Sequence, residues 1–324
     1  MTSLSGRVPG MKQLESLRHG DLVSIVSPAY WLGSQELDAA RTFLETRGFR
    51  VRISRQCYSR NGQFAGTDGE RADAINAAFA DQECSAILCA KGGYGTSRIL
   101  AHIDFDLVGR NPKIFVGYSD ITCLLNVIAQ RCGFPTFHGP MGLDFTARKE
   151  VSSVDDLFRF LAGDVVDVCD YSPPEGSVLR AGEACDSIWG GNLSLIEGMI
   201  GTAYSCEFDG KILFFEEVDE ALYRIDRALN HLFLTGSLHD LKGVLIGKTV
   251  GLGEDSAKFG ISEAEVYRSV FNRLPVDCPV VMNMPFGHGP EKLTLPIGWP
   301  LSINARTTHV NIRTVDSVFR QPRL

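Results

Sequence analysis

The chain has 324 residues, a formal net charge of -7 and a pI near 5.6. Hydrophobic residues make up 44% and charged residues 22%, the balance of a folded chain rather than a disordered one, and the length suits two domains. The acidic balance argues against a nucleic-acid partner, and no apolar run reaches the roughly 18–20 residues that cross a bilayer.

Residues 1–10 mix Gly, Ser, Pro and charge and read as a poorly ordered lead-in, without the apolar core of a signal peptide. Leu22 to Ser27 reads as a first strand closed by Pro28. From Gln35 to Arg47 the apolar residues Leu37, Ala40, Phe43 and Leu44 recur at helical spacing, and Gly48 follows as a C-cap. Val51–Ile53 is a second strand, and Glu70–Ala80 a second helix with Ala72, Ile75, Ala78 and Phe79 on one face. Ala86–Ala90 and Ile114–Gly117 are short and apolar throughout, as strands buried on both faces of a parallel sheet are. A helix over Ile121–Arg131 follows the latter. This alternation predicts a doubly wound α/β domain over residues 1–165.

Residues 166–183 carry acids, the Tyr171–Pro174 turn and two glycines, and are expected to be a linker. Residues 184–324 then form a smaller C-terminal α/β domain. Its expected strands are Lys211–Phe215, Gly243–Ile246 and Val280–Val281, with one helix over Tyr223–Leu234. The nine cysteines form no CxxC pair, and Cys89, Cys123 and Cys278 sit in apolar runs. That usage suits a reducing cytoplasm better than a disulfide scaffold.

Four segments carry candidate chemistry. In Gly117-Tyr118-Ser119-Asp120, a buried strand turns sharply into a helix with Ser119 at the bend. Such a turn presents a serine hydroxyl at the carboxyl end of a sheet, and the Asp120 N–H at the helix start can stabilise an oxyanion. Ser119 or Asp120 serving only as helix cap is the plain alternative. Lys91-Gly92-Gly93-Tyr94-Gly95 follows another buried strand and suits a phosphate loop, an oxyanion donor or a flexible turn. Glu216, Glu217, Asp219 and Glu220 follow an apolar strand, where one acid can orient a histidine; solvated turn acids and a hard-metal site are the alternatives. His288 lies between two glycines in a Pro-rich loop, the setting of a general base, and His138 is a second loop histidine.

Together, and in this order, these segments resemble the serine LD-carboxypeptidases, the murein tetrapeptide carboxypeptidases whose family also holds the microcin C immunity peptidases. Phe64–Asp68, Trp189-Gly190-Gly191-Asn192 and Tyr223–Arg227 add to the likeness, which runs from about Leu17 to Asn304. The resemblance implies Ser119 as nucleophile, His288 as base and Glu216 as the acid that orients it. It implies the N–H groups of Gly93 and Asp120 as oxyanion hole. Lys91, Tyr94, Trp189 and Asn192 are expected to meet substrate, although Lys91 stands where the family usually has arginine. Trp189 as a core residue is equally open. The implied fold is a class I amidotransferase-like, flavodoxin-like first domain with the second domain supplying acid and base. The implied protein is a cytoplasmic homodimer acting on a murein peptide, without metal or organic cofactor, nucleic acid or membrane. The alternatives are an immunity-type peptidase for aminoacyl nucleotide conjugates, with Trp189 as base platform, and a non-catalytic binding module.

Overall fold

A computed structural model describes residues 10–146, 151–164, 167–253 and 258–320; the expected lead-in falls almost wholly outside them. The chain divides into two compact units. The first holds residues 10–164, 294–298 and 317–320, and the second 167–293 and 299–316.

The first unit alternates strand and helix. Its elements are β1 (Leu22–Val26), α1 (Ser34–Thr46), β2 (Arg50–Ile53), α2 (Asp68–Ala80), β3 (Cys84–Cys89) and α3 (Thr96–Ile99). Then come α4 (Phe105–Arg110), β4 (Ile114–Gly117), α5 (Thr122–Cys132), β5 (Thr136–His138) and α6 (Val151–Leu161). Five strands run parallel in the order β2-β1-β3-β4-β5. Every residue of β1 and β4 is buried, and all of β3 but Ser85, because helices cover both sheet faces. Local signals fix the helix ends. Thr67 and Glu70 form a reciprocal capping box ahead of α2, and Gly133 ends α5 in the left-handed region. The strand order reverses between β1 and β3, so their following loops, at Pro28 and Lys91, open at the point where such sheets hold ligands.

The second unit runs through β6 (Asp167–Tyr171), β7 (Val178–Arg180), β8 (Gly182–Asn192), α7 (Leu193–Met199), β9 (Ile212–Glu216) and α8 (Leu222–Leu234). It continues with β10 (Gly243–Gly247), α9 (Glu263–Phe271) and β11 (Val280–Met284). Next, β12 (Leu295–Ile297) returns to the first unit and pairs antiparallel with β5. Finally β13 (Pro300–Arg306) and β14 (His309–Thr314) complete a mixed sheet ordered β6-β14-β13-β8-β9-β10-β11-β7. The parallel strands β8 to β11 form its centre.

One expectation gives way here. Most of residues 166–183, expected as linker, is strand: β6 and β7 are the two edges of the second sheet. Edge strands keep part of their surface in water, so the acidic β6 and the short, half-exposed β7 look like a loop in sequence. The Trp-Gly-Gly-Asn run closes the eleven-residue β8. A side chain on Gly190 would place its Cβ 1.7 Å from the carbonyl oxygen of Phe214 in β9. Glycine there permits close strand approach rather than a reversal of the chain. Among the described residues no helix is long and apolar enough to cross a membrane.

Candidate active site

The first unit carries Ser119 and the glycine loop at the ends of β4 and β3. Gly117 closes β4 against α5's approach; a Cβ there would stand 2.7 Å from Ile121 Cγ2. Tyr118 is extended, and Ser119 then adopts φ +61°, one of three non-glycine residues with positive φ among those described. An L residue held in that region costs about 1–3 kcal/mol and persists only where its surroundings fix it. A single 3-10 turn over Ser119–Ile121 passes the chain into α5.

The glycine loop after β3 lies directly on this bend. A Cβ on Gly92 would meet Ser119 Cβ at 2.9 Å and Oγ at 3.1 Å, so only glycine fits. Gly93, exposed and at φ +117°, has the ring of Tyr30 where a side chain would go. The loop is joined to the bend beyond it. Thr96 donates its N–H to Asp120 Oδ2 at 2.9 Å and its hydroxyl to the Asp120 carbonyl. Asp120 is buried, and that burial pushes its carboxyl up despite those bonds. No hydrogen bond to a described residue engages the N–H of Gly93 or of Asp120. Acyl transfer requires N–H donors of this kind, not already committed within the fold, where charge develops on the carbonyl oxygen.

The second unit pairs His288 with Glu216. Glu216 ends β9, wholly buried, and its Oε2 accepts from His288 Nδ1 at 2.6 Å. Two glycines make that fit possible. A Cβ on Gly287 (φ +94°) would lie 2.7 Å from Glu216 Cβ, Cγ and Oε2, and one on Gly247 2.9 Å from Glu216 Cβ. Burial opposes a charged His288 ring, but the hydrogen bond and charge of Glu216 outweigh it, and the pKa rises above 6.5. The pair therefore fixes the orientation of the imidazole through its Nδ1, as a triad acid does for its base. Gly287→Ala is expected to cost about 1–3 kcal/mol of stability. By displacing Glu216 it should also lower turnover roughly tenfold or more. Urea unfolding and a turnover assay check both, and wild-type values for both would refute the wedge.

The remaining expected residues distribute unevenly. Lys91 is half-buried and makes no hydrogen bond or ion pair to a described residue. Tyr94 is 45% exposed beside Phe64, with ring centroids 5.9 Å apart. Asn192 is buried; it caps α7 through Leu195 N–H and donates to Glu217 Oε1 at 2.8 Å. Trp189 is 4% exposed, with its indole N–H on Ser187 Oγ and its ring under Lys211. It stands three residues before Asn192, about 10 Å back along the strand. His138, expected in a loop, is instead buried in β5 opposite Leu295, because β12 adds a partner strand there.

The acids after β9 part company. Glu216 meets His288, Glu217 accepts from Asn192 and Ser194, and Glu220 pairs with Arg224 at 3.2 Å. Burial pushes Glu217 up although Ser194, Val218 and Asn192 donate to it. Sequence reasoning did not single out Thr96 or Tyr30, and placed Glu217 only within an acidic cluster. Only their partners, distant in the chain, reveal what they do.

Comparisons with known proteins agree on both halves. Residues 23–139 match the family described as LD-carboxypeptidase N-terminal domain, and residues 187–303 its C-terminal domain. The chain is 36% identical over 295 residues to a probable murein peptide carboxypeptidase of Bacillus subtilis, covering 90% of this chain and 91% of that one. Among solved structures, muramoyltetrapeptide carboxypeptidase from Oxalobacter formigenes is 26% identical with a TM-score of 0.81, over 91% of this chain and 99% of that one. An MccF-like protein from Bacillus anthracis is also 26% identical with a TM-score of 0.81, over 93% and 99%.

Proposed function

This chain belongs to the LD-carboxypeptidase family, and from that premise we propose how its residues hydrolyse the bond between meso-diaminopimelate and terminal D-alanine in murein tetrapeptides. It is a carboxypeptidase of the serine LD type, acting on murein peptides as its relatives' names say of them. The observation that carries the residue roles is Ser119 at φ +61° on the turn after β4, with Gly92 packed against its Oγ.

In the proposed reaction His288 takes the Ser119 proton as Oγ attacks the diaminopimelate carbonyl. Glu216 holds the ring and stabilises the imidazolium. The N–H groups of Gly93 and Asp120 receive the oxyanion, each worth about 2.7–4 kcal/mol. His288 then protonates the departing D-alanine amine, and water, deprotonated by the same ring, releases the acyl group. Lys91, cationic and unpaired among the described residues, meets a substrate carboxylate as a point charge rather than a bidentate clamp. Cysteine chemistry fits less well: burial pushes Cys57 and Cys278 up to about 11 and Cys169 and Cys206 to about 12, so they stay protonated thiols.

The strand order β2-β1-β3-β4-β5 supports a flavodoxin-like, class I amidotransferase-like first domain over residues 1–165. The second domain, residues 167–293 and 299–316 rather than an unbroken 184–324, carries the acid and base. A cytoplasmic homodimer without cofactor completes the proposal; nine free cysteines suit a reducing compartment. The immunity-type alternative asks for an exposed aromatic platform, and the burial of Trp189 under Lys211 favours the murein peptide instead. The purified chain is expected to release D-alanine from disaccharide-free tetrapeptide. Release of amino acid from an aminoacyl sulfamoyl nucleotide, with none from tetrapeptide, would overturn this reading.

A further inference from the structure

Among the described residues, the largest side chain withdrawn entirely from solvent is a charged one, Arg71 in the first turn of α2. Its Nη1 donates to two carbonyls, Pro28 at 2.5 Å and Gly95 at 2.9 Å. Its Nη2 bonds the Asp68 carboxylate, and its guanidinium carbon stands 4.9 Å from the centre of the Phe64 ring. Asp68 in turn accepts from exposed Arg98 through both oxygens, at 2.8–3.1 Å.

The two carbonyls lie on either side of the candidate oxyanion loop. Pro28 closes β1 two residues before Tyr30, whose N–H donates to the Gly92 carbonyl at 3.3 Å and whose ring lies against Gly93. Gly95 ends the loop just before Thr96, which bonds Asp120. α2 does not need an arginine here, because the capping box of Thr67 and Glu70 secures its start. An apolar side chain would fill the position without desolvating a cation. What it lacks is a planar fork that grips two loop carbonyls and a carboxylate at once. We infer that Arg71 is a positioning residue: it fixes the Gly92–Gly95 loop, and so the Gly93 N–H, against Ser119. The inference rests on the roles proposed for Ser119 and Gly93.

The test compares Arg71→Met and Arg71→Lys with Phe79→Leu, a core change in the same helix that touches neither loop nor bend. Each protein is assayed for kcat and KM on tetrapeptide and for amide hydrogen exchange over residues 91–96, and the results are compared at equal stability. Arg71→Met should lose roughly 100-fold in kcat with KM within about threefold, since a displaced donor costs transition-state rather than ground-state binding. Its amides at residues 92–95 should exchange faster, and Arg71→Lys should recover part of both. Phe79→Leu should keep kcat within about twofold and leave loop exchange unchanged. If Arg71→Met fails to fold, Arg71→Lys decides: wild-type kcat and exchange there would overturn the inference. So would equal losses in Arg71→Met and Phe79→Leu at matched stability. A wild-type protein that releases no D-alanine would instead sink the proposed function, while loop exchange still judges the tether.

Discussion

Ser119→Ala is expected to lose tetrapeptide turnover by at least about 10⁴-fold while remaining folded. The size follows from what stands near the bend. Asp120, the neighbouring acid, is turned inward onto Thr96 and cannot serve as a substitute nucleophile. The N–H groups of Gly93 and Asp120, the proposed oxyanion donors, would survive the mutation and should leave a residue of catalysis above the uncatalysed rate. Stability should change by under about 1 kcal/mol, because alanine inherits the same left-handed backbone as serine. Ser119→Gly separates the two roles further. It should be as inactive as Ser119→Ala, yet more stable by about 1 kcal/mol, since glycine takes φ +61° without strain. D-alanine release and urea unfolding read both variants. Turnover within tenfold of wild type in either would remove Ser119 from the mechanism.

How much of this was legible in the sequence depends on whether the signal is local. β1, β3 and β4 are apolar almost throughout and were readable, because strands buried on both faces need no other pattern. The bend at Ser119 was readable for the same reason: a short apolar strand, a glycine and a helical run follow within a few residues. Partnerships across the chain were not. Nothing in the spacing of Glu216 and His288, 72 residues apart, says that their side chains meet at 2.6 Å; only the family resemblance implied it. The eleven-residue β8 was missed because Gly190 and Gly191 look like a turn, when they serve a close approach to Phe214. β12 was missed because three residues, Leu295–Ile297, carry too little pattern to announce pairing with β5. Arg71 resembles any solvated helix arginine until its two carbonyl partners, 43 and 24 residues away, are known.

The second large effect concerns pH. Glu216→Gln is expected to lower kcat/KM by about 10³–10⁴ at its optimum, as when a triad acid is replaced by its amide. It should also move the acid limb of the profile. His288 accepts the Ser119 proton only as neutral imidazole, so kcat/KM must rise with pH through the His288 pKa of the free enzyme. In the wild type burial pulls that pKa down, and the hydrogen bond and charge of Glu216 push it up by more. The charge of Glu217 adds to the rise and that of Lys292 opposes it. The limb should therefore lie above 6.5, with activity lost as pH falls through it. Glutamine removes the charge of Glu216, weakens its hydrogen bond to the imidazolium and leaves the burial, so the limb must shift to lower pH even as the maximum collapses. A merely structural Glu216 predicts a smaller maximum with the limb in place. A limb that stays fixed, or moves to higher pH, would show that Glu216 does not hold the charge of His288 in the working enzyme.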